Sequence, residues 1–119
     1  MHLSPSEFEN VVEEALRALP PRFAQLLDNV AVVVEEEPSD EDLELLEIED
    51  GELLGIYRGV ALTQRRYDML PTLPDQIAIF RGPILRVTHN RRDALRQVRE
   101  TVIHELGHYF GLHDDDMVF

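Results

Sequence analysis

The chain has 119 residues, 44% of them hydrophobic and 29% charged, with a net charge of -13, no lysine and no cysteine. That length suits one hydrophobic core, so a single domain over residues 1–119 is expected. No apolar run approaches the roughly 20 residues that cross a bilayer, thiolate ligands and disulfides are excluded, and so strong a negative balance is a poor match to nucleic acid.

The first ten residues carry neither a basic n-region nor an apolar h-region, so a cytoplasmic location is expected. Charge is unevenly spread: residues 1–56 hold 16 acids and 2 arginines, residues 57–119 hold 8 acids and 9 arginines. The acidic half reads mainly as a solvated face; a basic protein partner is the alternative.

In chain order, Ser4, Pro5 and Glu7 form a capping-box start. Phe8, Val11, Val12, Ala15, Leu16 and Leu19 follow at helical spacing, giving an amphipathic helix that ends at Pro20. A short helical turn is expected over Pro21 to Leu27, and the β-branched run Val30 to Val34 reads as an inner strand. Glu35 to Gly51 is a surface loop or a short helix capped by Ser39. Leu53 to Leu62, interrupted by Gly55 and Gly59, suggests a strand with a bulge or bend. Thr63 to Asp75 reads as an exposed loop, and Gln76 to Phe80 as another strand. Arg81-Gly82-Pro83 is expected to turn the chain, with Ile84 to Thr88 extended or already turning. Asn90 and Asp93 cap a final helix over Arg91 to Phe110. This order describes an α+β domain with a small sheet covered by two helices.

The last helix contains His104-Glu105-Leu106-Gly107-His108, an HExxH pattern. Leu95, Val98, Val102, Leu106 and Tyr109 cluster within about 60° of Leu95 on a helical wheel, and the histidines lie about 180° and 220° from it. Both histidines therefore point away from the apolar stripe, one turn apart, able to share one cation. Glu105 is displaced around the helix and is free to act on a water. Gly111 can end the helix in a left-handed turn that brings the chain back, which makes Asp114 the best-placed third ligand. His113, Asp115 and Asp116 are nearby competitors. Two histidines and a carboxylate leave a fourth position open on zinc, the arrangement of a catalytic site.

The segments Leu53 to Val60, Ile77 to Ile84 and Thr101 to Asp116, with HExxHxxGxxD in the last, resemble the small zincin-like metallopeptidases of minimal zincin fold. The metal motif is similar to that of the metzincins with aspartate as third ligand. The resemblance implies a small mixed sheet packed with a backing helix and an active-site helix beneath it, and a cleft along one edge strand. The function expected is zinc-dependent hydrolysis of a peptide or protein substrate, with Glu105 as general base and His104, His108 and Asp114 on the metal. Gln76 to Phe80 is the expected edge strand for substrate; Tyr57, Tyr67 and Arg81 are candidates to stabilise the oxyanion. Met117 is expected to pack in the core rather than to lie beneath the metal. A catalytically idle metal-binding module and an acidic adaptor are the competing readings.

Overall fold

The computed structural model describes residues 1–45, 52–59 and 75–110. The first helix, α1 (Pro5–Arg17), starts as its sequence dictates. The Ser4 hydroxyl accepts the Glu7 N–H at 3.2 Å and the Glu7 carboxylate accepts the Ser4 N–H at 2.9 Å. Phe8, Val11, Val12 and Ala15 form its buried face. A short helix, α2 (Pro21–Leu26), and a 3-10 turn (Leu27–Asn29) lead into strand β1 (Val30–Glu35).

Helix α3 (Asp40–Leu45) is capped by Ser39, whose hydroxyl accepts the Asp42 N–H at 3.1 Å while Asp42 accepts the Ser39 N–H at 3.0 Å. Of the two shapes expected for this acidic stretch, the short helix is the one found. Strands β2 (Gly55–Arg58) and β3 (Asp75–Phe80) follow, then α4 (Arg81–Val87) and α5 (Arg91–Phe110). The expected turn at Arg81-Gly82-Pro83 is instead the first turn of α4. Proline is tolerated there because an N–H in the first turn has no intrahelical acceptor to lose.

The described strands run in the order β1-β3-β2, β3 being parallel to β1 and antiparallel to β2. Two expectations are corrected by this order. Gln76 to Phe80 lies in the central strand, with Ile77, Ala78, Ile79 and Phe80 fully buried, so it offers no free edge. Val30 to Val34, expected inside, is an outer strand among the described residues. Its β-branched run reflects partial burial on both faces rather than a central position, because helices lie on one side and α3 on the other.

Side-chain alternation divides two cores. Ile77 and Ile79 face α1, α2, α4 and α5, together with Val98, Val102 and Leu106; Ala78 and Phe80 face the other way with Leu53, Ile56 and Val33. Helix α5 is anchored at its start by the Asn90 side chain, which accepts the Asp93 N–H at 2.8 Å. No helix among the described residues is long and apolar enough to cross a membrane.

The acidic run is paired with arginines of the later half. Glu35 meets Arg58 at 2.6 Å, Glu36 meets Arg81 at 2.7 Å, and Glu37 shares Arg86 with Glu52 at 2.7 and 2.8 Å. Asp42 is buried beside Arg58 at 2.9 Å. The Arg58 hydrogen bonds hold the Glu35 carboxyl below its ordinary range. Burial pushes Asp42 up, but the Ser39 N–H, Arg58 and the Ser39 hydroxyl together outweigh it, and the net shift is downward.

Folded values below the unfolded ones mean stability that is complete above the ordinary values of 4.5 and 3.8 and is lost as pH falls through the folded values. Arg58→Met is therefore expected to cost about 2 kcal/mol at pH 7, most of it at Asp42 because Glu35 is screened by solvent. It should also flatten the fall of the thermal midpoint between pH 5 and 3. Equal pH slopes in the two proteins would rule this assignment out.

Candidate active site

Two elements build the site. Val98, Val102 and Leu106, all fully buried, fix the rotation of α5 against the core. That rotation leaves His104 and His108 on the exposed side with ring centroids 4.1 Å apart and planes inclined at 61°. Two nitrogen donors one helical turn apart, unburied and convergent, suit a shared cation. The fit is made by these two donors. Among the described residues no set of three or more histidines and acids is grouped to hold a metal, and the expected third ligand, Asp114, lies outside them with His113, Asp115 and Asp116.

The second element is β2, which crosses α5 at Gly55. A Cβ there would lie 2.7 Å from the Thr101 methyl and 2.9 Å from the Ala78 carbonyl oxygen, so only glycine lets strand and helix approach this closely. The register of β2 on β3 decides which of its backbone groups are spent. Phe80 N–H donates to the Leu54 carbonyl at 2.9 Å, and residues in an antiparallel pair alternate between facing the partner and facing outward. Leu54, Ile56 and Arg58 therefore bond to β3, whereas Gly55 and Tyr57 present their N–H and C=O outward.

The Tyr57 N–H donates at 3.2 Å to the Glu105 carboxylate, tying strand to motif helix. Burial pushes the Glu105 carboxyl above its ordinary range, opposed by its electrostatic interaction with His108 and by the Tyr57 N–H. A cleft of about 510 Å3 runs beside this junction, lined by Leu53 and Gly55 of the strand side and by Thr101, His104, Glu105 and His108 of α5, among others. A volume of this size accommodates a short segment of an extended ligand.

The oxyanion candidates fare differently. The Tyr57 hydroxyl donates to Asp75 at 3.0 Å, and its ring packs on the main core. Arg81 is held by Glu36 and by the Leu3 carbonyl and does not line the cleft. Tyr67 and Met117 lie outside the described residues. Sequence reasoning missed the main-chain role of Tyr57, since a backbone N–H carries no residue-type signal. It also missed the tight crossing at Gly55, whose trace was a glycine inside an otherwise apolar run.

Comparison with known proteins agrees with this geometry. The pattern of the zincin-like metallopeptidase family matches residues 27–118. The chain belongs to that family. Its zincin-like fold is also found in a conserved hypothetical protein from Thermo thermophilus, with 27% identity, a TM-score of 0.56, and coverage of 87% of this chain and 91% of that one. No curated protein matches the zincin-like chain. Family membership makes a metallopeptidase activity possible and accords with the mixed α+β architecture expected for it.

Proposed function

We propose that this zincin-like chain is a zinc-dependent peptidase that cleaves extended polypeptide laid along the side of β2 that faces away from β3. The observation that carries the reading is the placement of the Glu105 carboxylate between the exposed histidine pair and that edge, bonded to the Tyr57 N–H at 3.2 Å. His104 and His108 supply two donors, and Asp114, six residues on, supplies the third in this proposal.

Zinc held by such a set supplies a Lewis acid that makes water nucleophilic near neutral pH and polarises a carbonyl. The chain's own residues do the rest. Outward-facing backbone groups of Gly55 and Tyr57 pair with a substrate main chain, which sets the scissile bond over α5 without demanding a particular sequence. Glu105 takes the proton of the attacking water and returns it to the departing amine, so no net proton is gained. A substrate carbonyl oxygen competes with the Glu105 carboxylate for the Tyr57 N–H, which frees the carboxylate as the cleft fills.

The test is metal content by elemental analysis, on protein made without a His-tag, for wild type, His108→Ala and Asp114→Ala. About one zinc per chain, lost in both variants, is expected. A wild type that is metal-free and takes up no supplied zinc would overturn the proposal.

A further inference from the structure

Strand β2 and helix α5 run side by side in the same sense, Gly55 lying against Thr101 and Tyr57 against Glu105. Two residues of strand rise about 6.6 Å and four of helix about 6 Å, so the two elements stay in step. On the strand side the described lining of the cleft runs from Glu52 to Gly55 and does not include Tyr57. On the helix side it continues through Glu105 to His108. The strand wall ends where the Glu105 carboxylate reaches across to the Tyr57 N–H at 3.2 Å.

Of the two partners in that contact, the strand is the fixed one. Ile56 and Arg58, on either side of Tyr57, face β3, and the Tyr57 hydroxyl donates to Asp75 at 3.0 Å. Arg58 is held in turn by Glu35 and Asp42. Glu105 is half-buried, on a side chain with three rotatable bonds. A change at this junction therefore moves the carboxylate and leaves the strand in place.

We infer that the Glu105–Tyr57 contact is a latch across the groove, opened only by a polypeptide that places a backbone carbonyl opposite Tyr57 in addition to the bond being cut. The inference deepens the peptidase reading and rests on it for the identity of the substrate. Opening exchanges one acceptor for another: the Tyr57 N–H passes from carboxylate to carbonyl, and no covalent bond changes. A dipeptide has a single peptide carbonyl, the one to be cut, and its terminal carboxylate meets the like charge of Glu105. The substrates are thus extended chains rather than dipeptides.

The test begins on metal-free protein. With ¹⁵N-tyrosine the three tyrosines give three amide signals, of which Tyr57→Phe identifies one. That amide proton should move upfield in Glu105→Ala, because an N–H bonded to a carboxylate loses its acceptor. Binding is then read by anisotropy with uncharged fluorescent peptides in which one amide at a time is replaced by a trans-alkene, which keeps the shape and removes the carbonyl. Glu105→Ala should bind the parent peptide about tenfold more tightly than the wild type does, since no bond has to be given up. For the peptide that lacks the carbonyl opposite Tyr57 the gain should fall below about twofold. Glu105→Gln, which keeps a neutral acceptor, should lie between the two.

An unmoved Tyr57 signal, equal affinities of the wild type and Glu105→Ala, or a gain that persists whichever carbonyl is removed would overturn the inference, as would no binding of any peptide. Cleavage by the zinc-loaded wild type separates the two readings. Dipeptides cut as fast as longer chains would defeat the latch and leave the peptidase standing. The full binding pattern without any cleavage would establish the latch and defeat the peptidase.

Discussion

Glu105→Gln is expected to lower peptide hydrolysis by about 10²- to 10⁴-fold, the usual worth of a positioned general base, while the zinc content stays unchanged. Glutamine keeps the shape of glutamate, and its amide oxygen can still accept the Tyr57 N–H that now bonds Glu105 at 3.2 Å. What it cannot do is take a proton. His104 and His108 are untouched, so metal should remain.

Stability should move the other way. Burial pushes the Glu105 carboxyl up, so its ionised form opposes folding at pH values above its raised folded pKa. A neutral isostere is therefore expected to raise the thermal midpoint of the metal-free protein slightly at neutral pH, the trade often found at sites kept for chemistry. The measurements are kcat/KM on a quenched peptide, zinc per chain, and the melting curve. Activity within about threefold of wild type would place the base elsewhere.

Gly55→Ala is the second large effect expected. The added methyl would sit 2.7 Å from the Thr101 side chain and 2.9 Å from the Ala78 carbonyl oxygen, and the second neighbour is backbone of the central strand. It cannot swing aside as a flexible side chain would, so β2 must lift from α5. Overpacking of this kind costs about 1 to 3 kcal/mol. The functional loss should be larger than the stability loss suggests, because a displacement near 1 Å at a reacting geometry costs about 100-fold, and lifting β2 moves the edge proposed to hold the substrate away from the motif helix. Thr101→Ser removes the clashing methyl, so the double variant should recover part of the loss. Additive effects in that cycle would show that the Gly55–Thr101 contact is not the cause.

Legibility in the sequence tracked how local the causes were. The helix starts at Ser4 and Asn90, the bounds of α5 and the outward rotation of the histidines all follow from capping residues and 3.6-residue spacing within one segment. Strand order did not follow, because an all-apolar face pattern marks burial and not neighbours. Val30 to Val34 and Gln76 to Phe80 both read as buried strands, and nothing within either says which one is flanked on both sides. The turn expected at Arg81-Gly82-Pro83 failed because glycine and proline suit a helix's first turn as well as a loop. In the candidate site, the two histidines and Glu105 were visible as a motif. The strand that faces them was misassigned, since edge exposure is a property of the assembled sheet. Asp114, the expected third ligand, remains a prediction of the motif and of the metal measurement.

The pairing of Glu35, Glu36 and Glu37 with Arg58, Arg81 and Arg86 has a bearing on how the polypeptide can be divided. Strand β1 finds its only described partner in β3, and Val30 lies opposite Asp75, 45 positions later. Neither the first 74 residues nor the last 45 could therefore complete this sheet alone. Two fragments split between β2 and β3 should be unstructured apart and should fold on mixing, in a complex that weakens as salt screens Glu36 and Glu37 from Arg81 and Arg86.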